Sequence, residues 1–483
     1  MRVRKHKRLR GDMLVLFVLT AVAFLLVAIL FISLVTTGTD TNVSEEQSSD
    51  LHVSQTQPVD GDYSEQYDST SANALDQLYD TAYVEDIPLE QYAVDLIVTE
   101  SATEMQIISI NDTDPELTYL LDEESKSHTT AAASLVIFDA NDGLFFTYHY
   151  GYADIDAGRP VDVNTTFRSA SLSKLVVAVC AMVLVDEGRL DIDEDISVYL
   201  GFQVRNPNFP GVPITARMLM QHTSTILDSE AFNDSLFGRE RVSTENLLGR
   251  SSSYWDVRPG TRFQYSNFGF SVLGAVIEMI AGERLDAFAR RVVFEPLGID
   301  AAFYIPNLAD HSNIAVLYDA GHGIVRSVER QLELAQERGL GQDQNLAQGS
   351  LMISALDYAK ILAMLGNGGE LFGVRILSAD AVREIHEPNV EGWGYYHGLS
   401  TRLGVGDLMP YDAFFWHTGS AHGVFAQNVY TVVGDYGYGG FDRARGAVVI
   451  TTGATTGRYD NGMISVCTHL IQIAWRGLGF VTE

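Results

Sequence analysis

The chain opens on two contrasting patterns. Residues 1–12 are polar and basic, and residues 13–35 are an uncharged, mostly apolar run of 23. At ~1.5 Å per residue a helix of that length crosses the ~30 Å hydrocarbon core of a bilayer. Arg2, Arg4, Lys5, Lys7, Arg8 and Arg10 precede the run and acidic sequence follows it. The positive-inside rule then predicts a cytoplasmic N-terminus and a body outside the membrane. A cleaved signal peptide has a shorter apolar region, about 7–15 residues. With only Thr36-Thr37-Gly38-Thr39 as a cleavage site, the run reads as an uncleaved single-pass anchor, 13–36. Residues 37–90 are rich in Ser, Thr, Asp, Glu and Gln and hold too little apolar surface to fold. They read as an acidic disordered stalk with a reach of about 40 Å. Residues 91–130 form an uncertain lead-in. Leu96-Ile97-Val98 and Ile107-Ile108-Ser109-Ile110 have strand character, and Leu117-Thr118-Tyr119-Leu120-Leu121 opens a helix running toward Ser127.

The pattern then becomes that of a folded domain. Residues 131–139 are strand-like, Asn141-Asp142-Gly143 is a hairpin signal, and 144–152 is a second strand. Residues 175–185 are apolar almost all round, which in a helix means burial on every side. That helix is expected to begin near Ser169–Ser171 and to end at Asp186-Glu187-Gly188. A long middle, 190–400, reads as mostly helical or irregular, with helix candidates at 218–222, 268–283 and 356–365. Strands return at 414–416, 424–433 and 447–452, and 462–475 is a closing helix. Strands at both ends with helices between them predict an α/β (α+β) domain over 131–478. Its architecture would be an antiparallel β-sheet flanked by helices with an inserted mainly helical subdomain, preceded by one transmembrane helix.

Charge narrows the partners. The net charge is −31, although residues 1–12 are basic. Such an acidic body repels nucleic acid and anionic lipid, so neither is expected as a partner, and the acidity itself reads as solubility. After Arg10 no Lys or Arg occurs until Lys126. The lysines are Lys5, Lys7, Lys126, Lys174 and Lys360. A chain that fills its basic positions with Arg but keeps Lys174 in an apolar run needs something lysine does and arginine cannot, namely deprotonate. Cys180 and Cys467 each sit in an apolar, helix-like stretch and read as buried free thiols; a disulfide between them is the alternative. No CxxC or Cys/His cluster exists, so no metal and no cofactor are expected.

Three motifs carry chemistry. In Ser171-Leu172-Ser173-Lys174 the first and last residues share a helix face, which brings the Lys174 amine to the Ser171 hydroxyl. A serine is a weak nucleophile until a neighbouring base takes its proton, and a desolvated lysine amine can be that base. Alone, the pair also fits a Ser N-cap beside a solvated Lys. Tyr265-Ser266-Asn267 follows the Pro259-Gly260 turn and precedes a helix. A phenol can relay a proton to a leaving group, and an amide can hold a substrate carbonyl or the lysine. His417-Thr418-Gly419 lies on a predicted strand, which can pair with an extended substrate and lend a backbone N–H to an oxyanion.

Taken together and in this order, the motifs resemble the serine β-lactamase and penicillin-binding protein superfamily, above all its class C β-lactamase, D-alanyl-D-alanine carboxypeptidase and esterase branch. The resemblance covers about residues 131–476. It is carried by Phe167-Arg168-Ser169-Ala170-Ser171-Leu172-Ser173-Lys174, by Leu190 to Leu200, and by Leu219-Met220-Gln221-His222-Thr223-Ser224. Pro259 to Asn267, Gly349 to Leu362 and His417-Thr418-Gly419 complete it. It implies Ser171 as the acylated serine, Lys174 and Tyr265 sharing proton transfer, and Asn267, His417, Thr418 and Gly419 binding substrate. The backbone N–H groups of Ser171 and Ser420 would form the oxyanion hole. His417 stands where many members carry Lys. Thr225 stands where the family usually has Gly after His-Thr-Ser, which puts the shape of that loop in question. The expected substrate is a small molecule or peptide: a cell-wall peptide, a β-lactam or an ester.

Rival chemistries lack their signatures. There is no Gly-x-Ser-x-Gly elbow, no His-Glu-x-x-His and no Walker loop. His417 and His422 are a nearby pair without further ligands and read as site lining rather than metal ligands. A non-catalytic module that binds cell wall or protein is the alternative from another class; intact Ser171, Lys174, Tyr265 and Asn267 argue against it.

Overall fold

Every residue of the strand Ala132–Asp139 is buried, yet its side chains go to two different places. Leu135 and Ile137 enter one apolar core, and Val136 and Phe138 enter another. Alternation of period 2 is preserved, but with both faces of the sheet covered it separates two cores rather than core from water. The computed structural model describes residues 102–237, 242–392, 394–405, 413–435 and 440–480. The basic tail, the 13–36 run, the 37–90 stalk and Leu96-Ile97-Val98 lie outside them. Among the described residues no helix is long and apolar enough to cross a membrane.

The principal strands are β1 (Gln106–Ser109), β2 (Ala132–Asp139), β3 (Leu144–Asp154), β4 (Thr166–Arg168), β5 (Met352–Ser354), β6 (Val390–Gly392), β7 (Tyr395–His397), β8 (Arg402–Val405), β9 (Ala413–Ala421), β10 (Val424–Tyr430) and β11 (Arg445–Thr452). The helices used below are α1 (Pro115–Ser127), α2 (Ser173–Asp186), α3 (Ala216–Met220), α4 (Asn267–Ala281), α5 (Leu346–Gly349), α6 (Ala355–Gly366), α7 (Ala379–His386) and α8 (Ser465–Gly477). The main sheet runs β1-β3-β2-β11-β10-β9-β8-β7-β6, with the two-residue strand Arg159–Pro160 on β3. All of its pairs are antiparallel except β1–β3, which is parallel, so the expectation of a wholly antiparallel sheet is corrected at that edge. Within the 91–130 lead-in, β1 pairs with β3 and α1 packs on α8. Helices α1 and α8 cover one face, and α6 with the buried α2 covers the other.

The segment between β4 and β5 holds α2, the longer α4 and several shorter helices. The sequence reading placed no strand between 390 and 405. There β6, β7 and β8 extend the sheet past β9, because their short runs add backbone pairs without the apolar alternation that marks a strand in sequence.

Two local features position the site. Strand β4 pairs with β5, Phe167 opposite Ile353, and delivers the chain to Ser171 at the head of α2. Strands β9 and β10 join through a two-residue turn, His422-Gly423, with φ of +53° and +81°. Positive φ at both positions matches the right-handed twist of the strands. Glycine is needed at the second: a Cβ on Gly423 would lie 2.0 Å from the Tyr318 carbonyl oxygen.

Candidate active site

Ser171 lies in a single 3-10 turn, Ala170–Leu172, and α2 begins two residues later at Ser173. The turn is pinned by its neighbours. The Ser169 hydroxyl donates to the Leu351 carbonyl at 3.0 Å, and the Ser173 hydroxyl donates to the Ala170 carbonyl at 2.6 Å while accepting from Leu351 N–H at 3.0 Å. Ala170 is held at φ +48°, a left-handed conformation that a non-glycine residue keeps only when its surroundings enforce it.

Lys174 follows one turn later and is completely buried. Its Nζ lies 3.1 Å from Ser171 Oγ, 2.9 Å from Asn267 Oδ1 and 2.5 Å from the Gln348 carbonyl on α5. The last two can only accept. An ammonium donates to all three. A neutral amine has two N–H groups and one lone pair, so it must donate to Asn267 and Gln348 and turn its lone pair to the Ser171 hydroxyl. Among the described contacts of this amine, Ser171 is thus the group from which Lys174 can take a proton.

The Tyr265 ring stands over the same amine, 5.1 Å from Nζ to centroid, and the Phe270 ring at 5.6 Å. Ser266 caps α4 by accepting from Gly269 N–H at 2.9 Å, which sets Asn267 at the helix start facing Lys174. Opposite, β9 passes so close to the serine turn that a Cβ on Gly419 would sit 2.6 Å from the Ser169 carbonyl and 3.3 Å from Ser171 N. Glycine lets a bare strand edge meet the Ser171 turn. Ser420 follows, exposed. Thr418 and His417 are buried. His417 Nδ1 meets the Thr418 carbonyl at 2.8 Å, so that nitrogen carries the proton; burial, with Arg402 and Lys174 nearby, holds its pKa well below the usual histidine value and the ring neutral. The site therefore brings together Ser171, Lys174, Tyr265, Asn267 and Gly419, with His417, Thr418 and Ser420 along the adjoining strand.

The family model described as Beta-lactamase matches residues 118–463. The chain belongs to the beta-lactamase family. Esterase EstB of Burkholderia gladioli is 32% identical over 183 residues, 35% of this chain and 46% of that protein. The chain spans less than half the length of the curated relatives it matches. Among solved structures, the octameric penicillin-binding protein homologue from Pyrococcus abyssi aligns with a TM-score of 0.55 and 22% identity over 70% of this chain and 73% of that one. The beta-lactamase/D-alanine carboxypeptidase from Pseudomonas syringae aligns with a TM-score of 0.56 and 17% identity over 76% of this chain and 99% of that one. These structures share the mixed α/β fold, a sheet flanked by helices.

Within this beta-lactamase-family site, several residues escaped the sequence reading. Asp228 accepts from Asn267 Nδ2 at 2.8 Å, Phe268 N–H at 2.8 Å and the Ser266 hydroxyl at 3.2 Å. A carboxylate accepts only, so it fixes the Asn267 amide with Oδ1 toward Lys174. Gln348 contributes a main-chain carbonyl, which no side-chain pattern reports. Tyr358 on α6 donates to the Leu172 carbonyl at 3.0 Å and accepts from Asn428 at 3.1 Å, while Asn428 accepts from His417 N–H at 2.7 Å. This buried chain ties the serine turn to β9. Arg402, buried on β8, lies between the Tyr395 and Trp416 rings at 5.2 and 4.9 Å. Its guanidinium reaches the Thr418 hydroxyl at 3.5 Å, so this strand carries an arginine charge beside a neutral His417. His222, quoted in the sequence only as part of a motif, stacks at 4.3 Å on Tyr265 and accepts from Ser266 N–H at 3.1 Å. Thr225 takes φ +67°, the conformation that glycine adopts at low cost, held by the Asn206 amide donating to its hydroxyl at 2.9 Å.

Proposed function

We propose that this chain is a serine hydrolase that works through an acyl-enzyme on Ser171. The observation that carries the reading is the Lys174 cage: a fully buried amine that, among the described residues, hydrogen-bonds two pure acceptors and the Ser171 hydroxyl, which can yield it a proton. Ser171 Oγ bonds to the substrate carbonyl carbon as its proton passes to the Lys174 amine. The Ser171 and Ser420 N–H groups hold the developing oxyanion. The bond from carbon to the leaving nitrogen or oxygen then breaks, and the leaving group takes the proton from Lys174 by way of Tyr265. Water hydrolyses the ester on Ser171 and restores the resting hydroxyl. Asn267, His417, Thr418 and Gly419 orient the substrate along β9.

Substrate follows from chemistry and kinship: a carbonyl compound able to lie along β9, of the D-alanine peptide, β-lactam or small-ester kind. Kinship with EstB supports the ester; likeness to the Pseudomonas syringae structure supports the peptide or β-lactam. The apolar run 13–35 behind a basic tail supports a single-pass anchor, with the enzyme held outside the membrane on its acidic stalk, close to cell-wall peptides.

The test is the intact mass of the chain after incubation with benzylpenicillin, with Ser171→Ala and Lys174→Arg alongside. A lasting adduct on the wild type alone assigns a slowly deacylating peptidase. Drug consumed without adduct assigns a β-lactamase. Drug left intact, with p-nitrophenyl esters hydrolysed by wild type only, assigns an esterase. Acylation surviving in Lys174→Arg, which cannot take a proton, would refute the role given to the lysine.

A further inference from the structure

On the sheet face covered by α1 and α8, away from the serine, lie three side chains that acyl transfer does not use. Glu124 and His128 stand four residues apart at the end of α1, so they share a helix face. His469 comes from α8, 345 residues along from Glu124. Glu124 Oε1 lies 3.1 Å from His128 Nε2 and 2.8 Å from His469 Nδ1. One ligand atom from each of the three falls within 4.8 Å of the others.

The far side of each ring decides what the near side can do. His128 Nδ1 lies 2.7 Å from the Thr455 carbonyl, which only accepts, so Nδ1 carries the proton. In the neutral ring Nε2 is then a bare lone pair aimed at a carboxylate oxygen that also offers only lone pairs. Either a proton on Nε2, which makes the ring an imidazolium paired with Glu124, or a metal ion must lie between them. His469 Nε2 is held at 2.7 Å by the Tyr459 hydroxyl, leaving Nδ1 turned to the same carboxylate. Both imidazoles thus have the outer nitrogen fixed by an oxygen and the inner one aimed at a common point, the arrangement that orients histidines on a metal. The side chains of Glu124, His128 and His469 are 16, 11 and 24% exposed, enough to admit a water as a fourth ligand while the protein holds the other three.

We propose that Glu124, His128 and His469 bind one divalent transition-metal ion, zinc by the chemistry of the donors. Two imidazole nitrogens and one carboxylate oxygen suit zinc and its borderline neighbours; calcium and magnesium take oxygen sets. The ion ties the lead-in helix α1 to the closing helix α8 and, through His128, to the Thr455 loop. The sequence reading expected no metal because it sought clustered Cys and His. Here the only local sign is Glu124 and His128 at helical spacing, and the third ligand arrives through the fold.

The full chain, stripped with a chelator and dialysed, is titrated with zinc chloride by calorimetry at neutral pH. Wild type is expected to take one zinc per chain at this site, and Glu124→Gln and His469→Asn each to weaken it by about tenfold or more. No zinc binding, or equal binding by both variants, overturns the proposal. So does calcium binding in preference to zinc. Because a variant can lose its fold, zinc-soaked crystals of the wild type provide a second reading by anomalous scattering. A peak between the three side chains is expected, and peaks only elsewhere reject the site.

Discussion

Asp228 holds the Asn267 amide at 2.8 Å, and this contact decides which end of Asn267 faces Lys174. Neither group is the nucleophile, yet the pair sets the direction in which Lys174 can accept a proton. With Asn267 Oδ1 and the Gln348 carbonyl both taking N–H from the amine, the lone pair has one remaining target. In Asp228→Asn one oxygen becomes an NH2 that opposes the NH2 of Asn267. The amide of Asn267 then turns over and presents a donor to Lys174. One misdirected buried hydrogen bond costs about 1–3 kcal/mol, so acylation is expected to slow by roughly 10–100-fold. Asp228 is a positioning residue, and the reading that separates it from a structural one is the rate of acylation at saturating substrate beside an unchanged melting temperature. Slowed acylation that merely tracks a lost fold would reject the role.

Gly419 supports a second prediction, on the opposite wall. A methyl group there would lie 2.6 Å from the Ser169 carbonyl, a backbone atom that cannot swing aside. Gly419→Ala must therefore move β9 away from the serine turn and displace the N–H of Ser420. Loss of one oxyanion donor costs about 100-fold or more in rate. Burst kinetics with an ester should show that loss in acylation, with substrate affinity less affected. A variant with wild-type acylation would mean that β9 does not supply the donor.

How much of this was legible in the sequence depended on the range of the pattern. The buried helix after Lys174, the strands flanking Asn141-Asp142-Gly143 and the long α4 and α6 each follow from local periodicity, and each forms within a few residues of its expected place. Ser171 and Lys174 were legible because one helical turn brings them together. Asp228 was not: a lone aspartate between Leu227 and Ser229 gains its role only when the chain returns at Ser266 to Phe268. The Gln348 carbonyl has no side-chain signature, and the Tyr358–Asn428 link joins positions 70 residues apart. The short edge strands β6 to β8 were missed because pairing, rather than composition, makes them strands.

The cysteines give a prediction about covalent structure. Cys180 on α2 and Cys467 on α8 are buried free thiols in the separate apolar cores on the two sides of the sheet. A disulfide needs Cα atoms within about 7 Å, which a sheet between them forbids. Burial raises both thiol pKa values, leaving them protonated and unreactive. Ellman's reagent should find almost no thiol in the native chain and both after denaturation without reductant. Fewer than two thiols in the denatured, unreduced chain would contradict this arrangement.

Acid stability tests the electrostatics of the fold. His386, at the end of α7, is fully buried; its Nδ1 donates to the Val382 carbonyl at 2.7 Å and its Nε2 accepts from the Tyr430 hydroxyl at 2.8 Å. Both nitrogens are satisfied in the neutral ring, so burial carries no hydrogen-bonding penalty for that form. Burial lowers its pKa to about 4, against an unfolded value near 6.5. His149, lowered to about 4, and His397, lowered to about 3, shift in the same direction for the same reason. Between pH 6.5 and about 4 the unfolded chain binds these protons and the folded chain does not, so stability is present above the upper limit and is lost as pH falls through the window. For His386 alone the loss from pH 7 to pH 5 is about 2 kcal/mol. Urea unfolding at the two pH values should therefore show wild type losing about 2 kcal/mol more than His386→Asn, whatever the variant's stability at pH 7. Equal losses in the two proteins would mean that His386 is already protonated in the folded state at pH 5, and that its contacts with Val382 and Tyr430 are not those of a neutral ring.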